Sequence, residues 1–265
     1  MPIIVTAPKS ELGRVVARAL SGEQPGDDTV LLNLGLQTPN TLLHDGHAWK
    51  RYRPAQIVAR TKELLADPEH ADADFIVHAS FAFLRGVDHG ARIGDKLQPI
   101  AEAARAAEEL VLADPRPACV VRLGYLYGPE SRNLRAYRTA FRLGRPYWAG
   151  PRKKLQYFLH SEDAARAFQQ AARRRPKDRV VYATDQQPVS FAAFMDHFAR
   201  LIGNPLPLHL PAISRAVSHL VVAEEHMQMV ELGMEGRATP VVPGFQATFG
   251  DFRAGLRQVI EAWKT

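Results

Sequence analysis

The sequence predicts an α/β fold in which helices cover both faces of a parallel sheet. Along the first 130 residues, short apolar runs of strand length alternate with segments of helical periodicity. The strand runs are almost continuously apolar, as expected for strands buried on both faces. One of them leads into residues 120–129, where Gly124 and Gly128 interrupt the chain after Arg122. Such a turn at the carboxyl end of a strand is where open α/β sheets bind ligands.

The first half of the chain has four predicted strands. They cover residues 2–6, 29–34, 75–80 and 118–123. A helix begins at Ser10, whose side chain can cap it. Two further helices cover residues 55–66 and 97–112. Between the second strand and the second helix, residues 39–54 read as a polar surface loop.

The rhythm changes beyond Pro129. Helices are predicted over residues 133–143, 162–174, 190–201 and 250–263, and strands over residues 155–159 and 180–183. We expect a core built from residues 1–130, to which residues 155–204 return. A smaller substrate or cap region is expected from residues 131–154 and 205–265.

Composition excludes several classes of protein. An apolar fraction of 46% supports a sizeable core, and a single cysteine, Cys119, excludes an internal disulfide. Cys119 lies in an apolar strand and is interpreted as a buried, inert thiol. No apolar run reaches the roughly 20 residues of a membrane span, and no signal peptide is visible at the start. We therefore expect a cytoplasmic protein. A net charge of +6 permits an anionic partner without identifying one.

Several segments, in the right order, resemble the extended short-chain dehydrogenase/reductase family of nucleotide-sugar epimerases and dehydratases. Residues 120–129 match the family pattern hydrophobic-Arg-x-x-x-x-Tyr-Gly-Pro, and residues 155–167 resemble its hydrophobic-His-x-x-Asp-x-Ala-x-Ala segment. Residues 75–86 and 182–211 resemble two further family segments. The resemblance implies a doubly wound, Rossmann-like sheet that binds NAD or NADP at its carboxyl edge.

The dinucleotide half departs from the family. Its Gly-x-x-Gly-x-x-Gly signature aligns with Ala7, Ser10 and Gly13, so only the glycine concerned with helix–strand packing remains. Ser10 and Glu11 are interpreted as helix-capping residues, with Lys9 as an alternative phosphate contact. In the family, two strands and a helix lie between the first helix and the strand that corresponds to residues 29–34. Only residues 21–27 stand in that gap here. They are too few for a strand–helix–strand crossover, which needs at least about a dozen residues. The resemblance thus predicts a sheet trimmed on its adenosine side.

The remaining cofactor candidates follow from the same alignment. The predicted strand 29–34 resembles the family strand that ends near the nicotinamide ribose. Leu34 and Gly35 stand at that end and join Lys9, Ser10 and Gly13 as cofactor-binding candidates.

The catalytic set of the family also lacks counterparts. The family polarises a carbonyl with Ser or Thr and transfers a proton with a Tyr whose pKa a Lys lowers. The serine position falls on Phe81, with Ser80 one residue earlier, and the tyrosine and lysine positions fall on Ile100 and Ala104. The next tyrosine along the chain is Tyr125. Our catalytic candidates are Ser80, Tyr125 and Tyr127.

Five arginines provide the clearest positive signal. Their spacing of three and four residues places them on one helix face, which we call the arginine stripe, and guanidinium groups suit anionic ligands. The stripe comprises Arg132, Arg135, Arg138, Arg142 and Arg145. The substrate-binding candidates are Phe81, Arg132, Arg135, Arg138 and Arg142. The alternative interpretation is a solvated face.

Two histidine motifs receive structural interpretations. His44, Asp45 and His47 have no clear third ligand nearby, so no metal is expected. His160 and Asp163 match a structural His-x-x-Asp motif of the family, in which Asp163 is expected to cap the following helix.

Three hypotheses for function remain open. The first is a divergent family member that binds a small anionic or conjugated ligand as a non-redox biosynthetic enzyme or accessory protein, with no cofactor expected. The second is a working NAD- or NADP-dependent epimerase, dehydratase or reductase with a relocated proton donor. The third, nucleic-acid binding, ranks last because interleaved exposed aromatic residues are lacking. The family's habit of dimerising through long helices makes a homodimer an open prediction, and whether the chain is catalytic stays undecided.

Overall fold

In the computed structural model, the described residues are 3–21, 29–34, 54–185, 187–204, 207–209, 222–234 and 236–264. They form an α/β fold around a parallel sheet of five strands. The strands are β1 (Ile3–Val5), β2 (Val30–Asn33), β3 (Phe75–Phe81), β4 (Ala118–Leu123) and β8 (Val180–Ala183). Their order across the sheet is β1-β2-β3-β4-β8, and every neighbouring pair is parallel.

Nine helices flank the strands in the described residues. They are α1 (Glu11–Leu20), α2 (Pro54–Ala66), α3 (Leu84–Asp88), α4 (Gln98–Ala113), α5 (Arg132–Arg142), α6 (Ser161–Arg174), α7 (Phe191–Leu201), α8 (Glu224–Leu232) and α9 (Phe252–Ala262). Helices α1 and α6 pack together on one face, and α2 and α4 pack together on the other. None of the helices described is both long and apolar enough to cross a bilayer.

The predicted trimming of the sheet is confirmed for the described strands. Strand β1 pairs only with β2 and forms one edge of the sheet. Helix α1 ends at Leu20 and β2 begins at Val30, so the connection is too short for a strand–helix–strand crossover. The sheet therefore begins at the strand whose following turn would meet a pyrophosphate.

Residues 125–160 contain strands that the sequence pattern did not separate. Strand β5 (Tyr125–Tyr127) pairs in parallel with β7 (Phe158–His160), and β6 (Leu155–Gln156) pairs antiparallel with β9 (Val189–Ser190). The single strand predicted over residues 155–159 is thus two strands in two different small sheets. The change of sheet occurs at Tyr157, whose backbone oxygen accepts a hydrogen bond from Tyr125 N at 2.7 Å.

Candidate functional site

A pocket opens at the carboxyl ends of β3 and β4, where an open α/β sheet binds its ligand. Its cavity volume is about 40 Å³, and the empty space reaches about 520 Å³ when the open mouth and adjoining solvent are included. We call it the aromatic pocket, because rings supply much of its wall. It is lined by Phe81, Ala82, Phe83, Leu123, Gly124, Tyr125, Leu126, Asn133, Gln156, Tyr157, Met229 and Met234. None of these side chains carries a charge, so the pocket suits an uncharged, largely apolar ligand.

Distant parts of the chain meet around the aromatic pocket through polar contacts. Tyr157 donates its hydroxyl hydrogen to Gly236 O at 2.9 Å, and Gln156 donates from Nε2 to Val230 O at 2.9 Å. Met234 N donates to Leu155 O at 2.8 Å. These bonds hold the segment after α8 against β6. They place Met229 and Met234 across the pocket from the ends of β3 and β4.

Gly124 permits the close approach between β4 and residues 157–158. A side chain there would meet the backbone oxygens of Tyr157 and Phe158 within 3.0 Å. Backbone atoms cannot swing aside as a flexible side chain can. The glycine noticed in the sequence therefore acts by letting two backbone segments join at the pocket wall.

Ser80 lies in a buried polar network beside the pocket. In the sheet register, Ser80 is paired with Arg122, and Arg122 with Tyr182, so the three side chains share one face. Ser80 donates to Glu108 of α4, and Arg122 binds both carboxylate oxygens of Glu108, at 2.9 and 2.6 Å. The Ser80 hydroxyl is thus engaged with a carboxylate, and Ser80 is not among the residues that line the pocket.

The two tyrosines proposed as proton donors have different surroundings. Tyr125 lines the aromatic pocket and packs against Phe158, with ring centroids 5.3 Å apart. Tyr127 is 1% exposed and lies outside the pocket lining, and its hydroxyl has no hydrogen-bond partner in the described residues. Burial raises the pKa of Tyr127. Of the two, Tyr125 is the one that a ligand in the pocket would meet.

The turn between β1 and α1 is arranged by its own side chains. Ser10 caps α1 by accepting a hydrogen bond from Gly13 N at 2.9 Å, which confirms its capping role. A side chain at position 13 would overlap the carbonyl oxygen of Ala7, so Gly13 serves close helix–strand packing. Ala7 itself has φ +49°, a conformation that favours the glycine found there in the family motif. Glu11 binds Arg132 across the helix start at 3.3 Å.

The other cofactor-binding candidates lie around that turn. Lys9 is exposed, and its carbonyl oxygen accepts a hydrogen bond from Arg14 at 2.7 Å. Leu34 is buried and donates its backbone N–H to Thr6 Oγ1 at 2.9 Å. Gly35 lies outside the described residues, as do His44, Asp45 and His47. No cluster of metal-ligating side chains occurs in the described part of the chain.

Four members of the arginine stripe, Arg132, Arg135, Arg138 and Arg142, lie in α5, and the expectation was wrong for Arg145, because the helix ends at Arg142. Arg135 and Arg138 both stack on the ring of Trp263, each with its guanidinium carbon 5.2 Å from the ring centroid. Arg132 binds Glu11. The inward side of the same helix presents Leu134, Tyr137 and Phe141 to the core, and only Asn133 of α5 lines the aromatic pocket. Of the five substrate-binding candidates, only Phe81 lies in the pocket wall.

The His-x-x-Asp motif has a different capping arrangement from the one expected. His160, rather than Asp163, caps α6 by accepting a hydrogen bond from Glu162 N at 3.3 Å. Asp163 instead accepts hydrogen bonds from Thr248 N and Phe249 N, at 2.8 and 2.9 Å. The expectation that Asp163 caps the helix was wrong, because its carboxylate accepts backbone hydrogen bonds from a distant loop instead. Cys119 is buried, as expected.

The lining residues that the sequence analysis did not propose include Asn133, Gln156, Tyr157, Met229 and Met234. Gln156 and Tyr157 stand in a strand recognised by its apolar pattern, where a polar residue at a strand end gave a weak signal. Met229 and Met234 were not among the site residues proposed from the sequence. Their place in the pocket depends on contacts with β6 that no local pattern reports.

The chain is similar to proteins that act on small molecules. No protein-family model matches it. A 3-diazoavenalumate denitrifying reductase from a Streptomyces species is 29% identical over 222 residues, which cover 75% of this chain and 71% of the relative. The structure of human epimerase family protein SDR39U1 (isoform 2) with NADPH superposes with a TM-score of 0.69 at 16% identity. That superposition covers 98% of this chain and 99% of the human one.

A second solved structure gives the same result. UDP-glucuronic acid 4-epimerase from Bacillus cereus, in complex with UDP-glucuronic acid and NAD, superposes with a TM-score of 0.64 at 12% identity, over 100% of this chain and 99% of the epimerase. Likeness at this level of identity establishes the fold. The Rossmann-like architecture expected from the sequence motifs is therefore confirmed over the whole chain.

Proposed function

We propose that this chain, which has the fold of the extended short-chain dehydrogenases/reductases, is a divergent member of that family that binds a small, uncharged, conjugated molecule in the aromatic pocket. The observation that carries the proposal is the pocket itself. It lies at the ligand-binding edge of the sheet, and its lining contains aromatic rings and methionines without a charge. Planar conjugated molecules match such walls, because rings stack on rings and thioethers adapt to both.

The residues around the β1–α1 turn do not fit a dinucleotide held as in the family motif. The pyrophosphate needs free backbone N–H groups and a close approach to glycine. Here Ala7 stands at the first glycine position, and the Glu11 carboxylate lies in the first turn of α1, bound to Arg132. The described sheet also ends at β1, where the adenosine half would need further strands. These features support binding without the family's complete dinucleotide site.

By the sequence alignment, helix α4 corresponds to the helix that carries the family's tyrosine and lysine. It spans Gln98–Ala113 and contains neither residue type. Ile100 and Ala104, which align with the tyrosine and lysine positions, are both buried. The lack of a tyrosine and a lysine in α4 supports a role that does not depend on proton transfer from that helix. Such a role is that of a non-redox biosynthetic enzyme or of an accessory protein.

The lining also favours a conjugated ligand over an anionic one. A carboxylate or phosphate in the aromatic pocket would lose its water without meeting a cation, which is costly. The arginine stripe lies outside the lining, and Arg132, Arg135 and Arg138 have partners within the chain. An anionic group of the ligand would therefore have to remain outside the pocket mouth.

A reductase is the second candidate, and the Streptomyces relative supports it. That protein is a denitrifying reductase, and its similarity covers three quarters of this chain. Both candidates place the organic ligand in the same pocket. They differ in whether NAD(P)H binds beside it.

Calorimetric titration tests the proposal. We expect 2-methoxynaphthalene, a neutral conjugated probe, to bind with micromolar affinity, and NAD, NADH, NADP and NADPH not to bind in that range. Met229→Trp, which fills the pocket, is expected to weaken binding of the probe at least tenfold. Leu143→Ser, at a residue that is 61% exposed on the outer side of the molecule, is the control and should leave binding unchanged.

Two outcomes would decide against the proposal. Absence of binding, or equal binding to Met229→Trp, would show that the aromatic pocket is not the ligand site. Tight NADPH binding together with its oxidation in the presence of an organic acceptor would favour the reductase. Location in the cytoplasm remains a proposal that cell fractionation would test. A homodimer remains a proposal that sedimentation would test.

A further inference from the structure

A hydrogen bond within the chain determines the orientation of the Gln156 side chain in the aromatic pocket. It ends the short strand β6 and is 4% exposed. Its Nε2 lies 2.9 Å from Val230 O of helix α8. Because a backbone carbonyl can only accept, the amide nitrogen must face Val230. The assignment of nitrogen and oxygen in this side chain is therefore unambiguous.

This orientation leaves the other end of the amide, Oε1, without a partner in the described residues. Oε1 is also absent from the polar atoms that are completely enclosed and unpartnered, whereas Gln156 lines the pocket. The oxygen is therefore accessible from the pocket. Its neighbours in the lining include Tyr157 and Met229, which offer it no charge. A carbonyl oxygen in such surroundings is a directional hydrogen-bond acceptor.

The tyrosine beside it does not compete for this role. Tyr157 Oη donates its hydrogen to Gly236 O at 2.9 Å, so its donor is already used. Val230 O likewise receives its bond from Gln156 itself. Tyr157 Oη keeps acceptor lone pairs, but it is already hydrogen-bonded within the chain, whereas Gln156 Oε1 has no partner in the described residues.

We propose that Gln156 determines the ligand class of the aromatic pocket by accepting a hydrogen bond, through Oε1, from an O–H or N–H group of a neutral conjugated ligand, as a phenol would provide. This inference rests on the proposed function of the pocket. It adds that the ligand carries a donor and is recognised by it. A ligand of the same shape without that donor leaves the oxygen buried and unpaired.

The free-energy cost of leaving Gln156 Oε1 unpaired makes the inference measurable. Sites built to hydrogen-bond a ligand reject the analogue that lacks the group, because a buried polar atom is then left unpaired. A neutral hydrogen bond of this kind contributes about 1 kcal/mol, and roughly 1.4 kcal/mol corresponds to a tenfold change in affinity. We therefore expect a five- to tenfold preference, on the order of what one neutral bond supplies.

Two matched probes test it: 2-naphthol, which donates a hydrogen bond and is neutral at pH 7, and 2-methoxynaphthalene, which cannot donate. Their Kd values are measured by fluorescence titration on the wild-type protein. They are measured again on Gln156→Met, which keeps the length of the side chain and removes the acceptor. The wild type should prefer naphthol about five- to tenfold. Gln156→Met should bind both probes alike, because the acceptor that discriminates between them is gone.

Further variants keep the result interpretable. Met229→Leu changes the same pocket and retains Gln156 Oε1, so it should keep the preference for naphthol. Gln156→Leu provides a second test if Gln156→Met fails to fold, with circular dichroism as the check. Equal binding of the two probes to wild type, or a preference that persists in the Gln156 variants, would overturn the role of Gln156 and leave the proposed function intact. Failure of both probes to bind wild type would overturn the proposed function and this inference with it.

Discussion

Three histidines lie buried and uncharged in the folded chain. Burial lowers the pKa of His78 and of His160 to about 4, and that of His226 to about 3. Both ring nitrogens of His226 lack a hydrogen-bond partner in the described residues, and the ring packs among Phe191, Tyr125 and Trp148. Each of these histidines resists protonation while folded and accepts a proton readily once unfolded.

The pKa of Asp185 is raised, whereas the pKa values of the three histidines are lowered. Burial raises the pKa of its carboxyl to about 8 from 3.8. It therefore holds a proton in the folded chain at neutral pH and releases it on unfolding. Above about pH 8 the folded state must itself carry a buried charge.

These shifts predict a stability maximum near neutral pH. As pH falls from about 6.5 towards 4, unfolding takes up protons at three histidines and releases one at Asp185, a net uptake of about two, so stability falls. As pH rises from about 6.5 to 8, release from Asp185 dominates and stability falls again. Urea unfolding between about pH 4.5 and 8.5 should show the maximum near 6.5.

Asp185→Asn serves as the matched variant for the alkaline side. It should remove the decline above about pH 6.5 and leave the acid side steeper, since the opposing proton release is gone. A wild-type stability that rises steadily up to pH 8.5 would contradict the assignment to Asp185.

The roles of some single residues could be predicted from the sequence alone. Ser10 as a cap and Gly13 as a packing glycine follow from local chemistry, and the structure confirms both. Asp163 was misassigned, because its partners Thr248 and Phe249 lie 85 and 86 residues away. Tyr125 was placed at the correct edge of the sheet, whereas the position of its ring relative to Tyr127 needed the pairing of β5 with β7.

Among the elements, α8 matters most for the site, and Gln228 attaches it to α4. Gln228 Oε1 accepts hydrogen bonds from Lys96 N and Leu97 N, at 3.1 and 2.9 Å. Leu97 is the N-cap of α4 and provides no side-chain cap of its own. A glutamine from one helix thus caps another, and the same contact holds Met229 over the pocket.

Gln228→Leu should weaken this attachment. Two backbone N–H groups at the start of α4 would lose their acceptor, which costs about 1–3 kcal/mol when they remain buried. Hydrogen exchange should accelerate at residues 96–98 and along α8, and binding of 2-methoxynaphthalene should weaken. Gln98→Leu, which removes an exposed contact with Glu102, is the control and should cost less than about 0.5 kcal/mol.

Unchanged exchange at the start of α4 in Gln228→Leu would show that α8 is held by other contacts. The sequence could not have revealed this attachment. The contacting residues stand 131 and 132 positions apart. Helical periodicity reports which side of a helix is buried and not what it is buried against.

For the whole molecule, sequence reasoning recovered the five strands of the central sheet and the trimmed edge at β1. It did so because buried parallel strands leave long apolar runs, and because a crossover has a minimum length. The arginine stripe shows where such reasoning stops. Its spacing placed four cations, Arg132 to Arg142, on α5, whereas Arg145 lies beyond the end of that helix. Trp263 and Glu11, which bind three of them, lie more than 120 residues from their partners.

The proposed function requires a ligand edge that persists and a dinucleotide edge that is reduced. At the ligand edge, β3, β4 and α8 enclose an uncharged pocket. At the other edge, the sheet ends at β1 in the described strands, and Glu11 and Arg132 meet above the first helix. Ligand recognition is expected to depend on the first of these and not on the second.

A crystal structure of the protein grown with both NADPH and 2-naphthol tests this account most directly. The account predicts naphthol between Phe81 and Tyr157, with its hydroxyl within hydrogen-bond distance of Gln156 Oε1, and no ordered adenosine beside β1. An ordered adenine next to Ser10, with the nicotinamide ring occupying the aromatic pocket, would contradict it.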